Sequence, residues 1–180
     1  MMKTIWKIYP VWAYEKEEKW LNEMSAIGLQ CCGVGLFTYH FKEGEPSEYV
    51  YRLEMLDKHP SHIKSLQYIR FLEDTGVEHI GSIFKWVYFR KKATDEPFNL
   101  YSDINSQITH LNRILLLLGI LGIVNFINAL NMLNSWLRLG ASQVRIISIF
   151  SFSVSFLLVY GFIRIYIKKC ELKREKALRE

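Results

Sequence analysis

Several groups of side chains in this sequence have types and spacings that could support chemistry. Asp57, His59 and His62 stand within six positions, and a carboxylate with two imidazoles could hold a divalent cation. The other histidines, His40, His79 and His110, show no matching ligand spacing. Pro60 and Ser61 instead mark a helix start, with Asp57 or His59 as its cap, so no metal and no cofactor is expected. Cys31 and Cys32 are adjacent, but a redox pair needs a thiolate of lowered pKa; they read as strand residues pointing to opposite faces. Glu15, Glu17 and Glu18 read as the solvated side of a helix. There is no Gly-rich phosphate loop, nucleophile-base arrangement or distinctive carboxylate pair. No catalytic residue is assigned, and the chain is expected not to be an enzyme.

A row of amides is the other chemical feature. Asn125, Asn128, Asn131 and Asn134 recur every third position in an apolar stretch, and Ser148, Ser151 and Ser155 share one helical face of the next. An unpaired amide in hydrocarbon is costly, so the row should face the second stretch, another subunit or water. Asn125 and Asn128 are expected to meet the serines as a helix-helix seam. The alternative is a small transport or channel subunit with the row lining a polar path, although no ionisable residue lies inside either stretch. Each three-residue step turns the row by about 60°, which moves Asn131 and Asn134 toward the outer interface.

These residues need elements to position them. Ile114 to Leu137 is free of charge for twenty-four residues, and Ile146 to Ile163 for eighteen. At about 1.5 Å per residue both approach or exceed the roughly 30 Å of a bilayer core. The pair reads as a transmembrane hairpin. Residues 1–98 carry 13 Lys and Arg against 14 Asp and Glu, net −1, whereas residues 99–180 carry 10 against 4, net +6. Arg90 to Lys92 and Arg113 precede the first span, a cluster from Arg164 to Arg179 ends or follows the second, and only Arg138 and Arg145 lie between. Basic residues stay on the cytoplasmic side, so both termini are expected in the cytoplasm of a multi-pass cell-membrane protein. Met1 to Tyr9, broken by Lys3 and Lys7, is not expected to act as a cleavable signal peptide. The expected divisions are a cytoplasmic α+β domain over 1–97, a juxtamembrane amphipathic helix over 98–112, spans over 113–135 and 145–167, an external loop over 136–144, and a basic tail over 168–180.

Within the first domain, alternation predicts strands at Thr4–Tyr9, Leu29–Val34, Phe37–Lys42, Tyr49–Met55, Val77–Phe84 and Trp86–Lys91. Helices are predicted over Tyr14–Ile27, with Trp20, Leu21, Met24 and Ile27 as its apolar stripe, and from His59 to about Thr75, each ending at a glycine, Gly28 or Gly76. The halves repeat at an offset of 48, aligning Gly28 with Gly76, Gly33 with Gly81, Phe41 with Phe89 and Leu21 with Ile69. Two strand-helix-strand-strand repeats sharing one antiparallel sheet, with both helices on one face, would be a ferredoxin-like α+β domain.

The strand aromatics Trp6, Phe37, Tyr39, Phe41, Tyr49, Tyr51, Trp86 and Tyr88 could stack bases. At net −1 the domain lacks the charge that nucleic-acid affinity needs, so no nucleic acid is expected. Tyr49, Tyr51, Arg52, Trp86 and Tyr88 form instead the candidate interface for a protein partner or a second copy.

The helix text Glu17-Glu18-Lys19-Trp20-Leu21-Asn22-Glu23-Met24 ending in Gly28, the turn Phe41 to Pro46, the strands Tyr49 to Leu53 and Trp86 to Lys92, and the exit Glu96-Pro97-Phe98 closely resemble the bacterial family called domain of unknown function 2812, over about residues 5 to 112. The resemblance implies a domain followed by membrane spans and an association with small PadR-type transcriptional repressors. It implies no activity. Leu29 to Cys32 departs from the family pattern, where a Trp or His is expected shortly after the glycine.

Overall fold

The computed structural model describes residues 2–93, 98–101, 103–140 and 142–179. The chain divides into two units, Met1–Ser106 and Gln107–Glu180, each of which follows from its own pattern of apolar residues.

The first unit is α+β and built from two repeats. The strands are β1 (Met2–Trp6), β2 (Leu29–Val34), β3 (Thr38–Glu43), β4 (Tyr49–Met55), β5 (Val77–Ile83) and β6 (Trp86–Lys92), with helices α1 (Tyr14–Ala26) and α2 (Ile63–Asp74). Gly28 and Gly76 end the two helices at φ +81°, the left-handed conformation glycine adopts without a steric penalty. At Gly28 the space is also closed, since a Cβ would lie 2.9 Å from the Gly44 carbonyl oxygen.

The strands divide into two three-stranded antiparallel sheets, ordered β1-β3-β2 and β4-β6-β5; this corrects the expectation of a single shared sheet. The cause lies in β2 and β5, the edges that would have to join. In β2 the pairing with β3 slips between Cys31 and Gly33, and in β5 the pairing with β6 slips between His79 and Gly81. The two bulges are 48 residues apart, so the repeat extends to the irregularity itself. A bulge twists an edge and breaks its ladder, and no ladder joins β2 to β5 among the described residues. The strands still come close, because a Cβ on Gly81 would sit 2.7 Å from Val34 Cγ2.

Two cores result. The first gathers Leu21 of α1, Cys31, Tyr39 and Phe41 of the first sheet, and Tyr51, Leu53 and Tyr88 of the second. The second gathers Ile69 of α2 with Leu56, Val77, Val87, Phe89 and Phe98. Tyr88 and its neighbours Val87 and Phe89 point to opposite faces of β6, as period-two alternation requires. The second sheet is therefore covered on both sides, α1 lying on the Tyr88 side and α2 on the Val87 side, rather than both helices covering one face.

The second unit is a helical hairpin. Helices α3 (Ile104–Leu139) and α4 (Ser142–Arg179) are each long and apolar enough to cross a membrane. The amphipathic segment expected over 98–112 has no break from the first span, because α3 is continuous from Ile104. Of the loop expected over 136–144, α3 takes the residues up to Leu139 and α4 those from Ser142, with Gly140 at φ +66° after α3, and the basic tail continues α4. At about 1.5 Å per residue the helices reach roughly 54 and 57 Å, each longer than the roughly 30 Å of a bilayer core. Of the exit Glu96-Pro97-Phe98, Glu96 and Pro97 lie outside the described residues.

Candidate functional site

The polar residues of α1 build the site. Tyr14, Glu17, Leu21 and Ser25 are its buried stripe, spaced three, four and four residues apart. Ile27, expected on the stripe, is exposed. Glu17, expected in solvent, is instead buried in the first core, where its Oε1 accepts hydrogen bonds of 2.6 Å from the Tyr39 hydroxyl and 2.6 Å from the Tyr88 hydroxyl. Such lengths belong to charge-assisted bonds. Burial raises the Glu17 pKa, while the two hydroxyl donors pull it partly back. Burial, then the neighbouring Glu17 charge, pushes Tyr39 and Tyr88 well above the ordinary phenol value. Glu17 thus ties α1 to one strand from each repeat. The equivalent position in the second repeat is Ser65, also buried, so the polar junction belongs to the first repeat alone.

One residue further round, α1 closes the edge of the second sheet. The Asn22 side chain accepts from the Tyr51 amide at 2.9 Å and donates to the Tyr51 carbonyl at 3.1 Å, as a neighbouring strand would. Glu18 Oε2 accepts from the Leu53 amide at 3.0 Å, and Ser25 Oγ donates to the Tyr49 carbonyl at 2.7 Å. Residues 18, 22 and 25 lie on one helical face and meet alternate residues of β4. An edge strand left open invites pairing with other chains; here the helix side chains occupy it.

Arg52 joins this edge to the exit of the domain. Its guanidinium donates to Glu18 Oε1 at 3.2 Å, to the Tyr51 carbonyl at 2.9 Å and to the Phe98 carbonyl at 2.9 Å. Phe98 is buried in the second core. The segment leading to α3 is therefore held by an apolar anchor and by a planar fork of donors suited to several acceptors. Arg90 makes a comparable tie across the sheets, donating to Glu78 Oε2 at 2.6 Å and to the Cys31 carbonyl of the β2 bulge at 3.0 Å, with its guanidinium 4.1 Å above the Tyr49 ring.

The five candidate interface residues do not share one surface. Tyr51 is 0% exposed and Tyr88 is buried, whereas Tyr49, Arg52 and Trp86 are half-buried. Of the other aromatics expected on strands, Trp6 and Phe37, which precedes β3, are exposed while Tyr39 and Phe41 are core. β1 is an edge strand that pairs with β3 alone among the described residues; β2 and β5 are edges too, but they lie against one another at Val34 and Gly81.

The remaining candidates fall into place separately. His62 caps α2, its Nδ1 accepting from the Lys64 amide at 3.2 Å; His59 Nδ1 bonds Ser61 Oγ at 2.8 Å. The cap is thus His62, not Asp57 or His59, and no metal cluster occurs among the described residues. Cys31 is fully buried and burial pushes its thiol up to about 12. In the hairpin, Asn125 Nδ2 donates to the Ser151 carbonyl at 2.9 Å and to Ser155 Oγ at 2.8 Å, and Ser148, Ser151 and Ser155 are buried. Asn128, expected at the same seam, is exposed: one three-residue step has rotated it off the contact. Asn134 accepts from Arg138 Nε at 3.2 Å.

Sequence reasoning missed Glu17, Glu18 and Asn22 because a polar side chain gives no hydropathy signal for burial. Their helical spacing with Leu21 and Ser25 was the available clue.

An α+β domain of two strand-helix-strand-strand repeats, joined to two helices with the length and apolarity of membrane spans, defines a domain-plus-hairpin class of protein. The model of the family described as "Protein of unknown function (DUF2812)" matches residues 13–123, and the chain belongs to that family. The match takes in both helices of the domain, the Arg52 tie and the first part of α3. No curated protein and no solved structure matches the chain.

Proposed function

We propose that this chain is a non-enzymatic regulatory module of the bacterial cell membrane, in which a cytoplasmic domain docks a protein partner and the hairpin anchors it in the bilayer. The observation that carries the reading is β1: its outer edge is unpaired among the described residues, Trp6 at its end is 76% exposed, and Ile8, two residues further on, is 70% exposed. Large apolar side chains on an open edge favour pairing with another protein's strand. The basic residues around Arg113 and from Arg164 onward support cytoplasmic termini. The Arg52 tie to Phe98 gives an engaged domain a short route to α3. A PadR-type repressor is the partner that the family resemblance suggests.

The test is a photo-crosslinking residue at Trp6 of the full-length protein in intact bacteria, with the adduct identified by mass. An adduct with a repressor encoded nearby supports the reading; recovery of uncrosslinked monomer alone removes it. Protease added outside intact cells should spare both ends. The alternative of a transport subunit is weakened because the Asn125 amide is already engaged by Ser151 and Ser155. It would regain support from loss of solute flux in Asn125→Leu with the hairpin intact.

A further inference from the structure

The contact between α3 and α4 centres on one row of α3, Leu118, Gly122, Asn125 and Ala129, of which Leu118 and Ala129 are buried, with Gly119 against Phe162 and Phe126 against Phe152 on its far side. The adjacent row, turned about 100° from it, is Leu117, Leu121, Val124, Asn128, Asn131 and Ser135. Its steps are alternately four and three residues, the spacing of a coiled-coil seam. Leu121 is 46% and Val124 61% exposed, and Asn128 and Asn131 are exposed too. The amide of Asn128 makes no hydrogen bond among the described residues, whereas that of Asn125 bonds α4.

Depth makes this amide significant. The uncharged stretch Ile114 to Leu137 centres between Asn125 and Phe126, so Asn128 lies about 4 Å past the midpoint. Neither water nor lipid headgroups offer hydrogen bonds there. A primary amide is both donor and acceptor and so complements a second copy of itself. We propose that this row is the contact between two copies of the chain, packed in parallel with their Asn128 amides hydrogen-bonded to each other. A polar residue near the middle of such a row fixes register and copy number. Two identical chains with the same topology place their amides at one depth automatically, which a different partner would have to match by its own sequence.

The test uses the full-length protein in native membranes with Cys31→Ala, Cys32→Ser and Cys170→Ser. Val124→Cys, on the proposed row, should give a disulfide-linked dimer on oxidation. Ile123→Cys, about 140° around the helix from Asn128, should not. Adding Asn128→Leu should weaken association roughly 3- to 30-fold, the worth of an interhelical hydrogen bond in lipid, while Asn128→Gln, which keeps the amide, should retain dimer. An intramolecular crosslink between Gly122→Cys and Leu158→Cys establishes that the Asn128→Leu hairpin still forms. Equal crosslinking at 123 and 124, absence of a dimer, an adduct with another protein, or no effect of Asn128→Leu would each overturn the proposal.

Discussion

Glu17 and Tyr88, 71 residues apart in the chain, meet in the first core through a hydrogen bond of 2.6 Å. The contact joins a helix of the first repeat to a strand of the second, and Tyr39 completes it from the first repeat's own sheet. Two sheets that share no ladder among the described residues are thereby held around one carboxylate. A buried carboxylate without donors would be strongly disfavoured; with two hydroxyls it becomes a specific junction.

That junction sets a pH dependence. Burial lifts the Glu17 pKa above its ordinary 4.5, so between the unfolded and folded values the folded protein keeps a proton that the unfolded chain has released. Its contribution to stability is fully present below about pH 4.5 and is lost as pH rises through the folded-state value. Thermal unfolding of the detergent-solubilised chain, followed by Trp fluorescence from pH 4.5 upward, should show a decline in wild type that Glu17→Gln flattens. Parallel curves would contradict a perturbed Glu17. Glu17→Ala, which strands two buried hydroxyls, should cost about 1–3 kcal/mol.

The occupied β4 edge predicts a local effect. Asn22→Ala removes both bonds to Tyr51 and should destabilise the domain by about 1–3 kcal/mol. Hydrogen exchange should accelerate at the Tyr51 amide while that of Phe89, inside the sheet on β6, changes less. Uniform acceleration would indicate general loosening instead of an opened edge.

Arg52 predicts a change at the domain exit. Arg52→Ala removes the bonds to the Phe98 carbonyl and to Glu18 Oε1 and should increase proteolysis around 98–101. Arg52→Lys should not restore protection, since an ammonium lacks the planar fork that reaches three acceptors. Full protection in the Lys variant would show that charge alone suffices.

The hairpin register has a geometric test. A Cβ at Gly122 lies 4.0 Å from Leu158 Cβ, inside the range a disulfide spans. Gly122→Cys with Leu158→Cys should therefore oxidise to an internal link. After cleavage at a protease site inserted near Gly140, the two fragments should stay joined until reduced. Fragments that separate without reductant would place these helices in a different register.

Much of the architecture is legible in the sequence. Period-two and helical spacing locate the six strands and α1 and α2 to within a few residues, because half-buried elements must alternate or spiral their apolar side chains. The offset of 48 reveals the repeat, and two uncharged stretches reveal the hairpin. The pairing of Asn125 with serines is also legible, because an amide in an apolar helix must find a polar partner nearby.

Other features were settled only by the tertiary structure. Whether the repeats share a sheet depends on bulges at Cys32 and Ile80, where backbone pairing slips without any change in hydropathy. Whether Glu17 meets water or two tyrosines depends on a strand 71 residues away, and whether Asn128 joins the seam depends on the rotation of α3 against α4. Local pattern reports what each segment can bury, but partners far along the chain decide which polar atoms go inside with it, because hydrogen bonds form only where geometry brings donor and acceptor together.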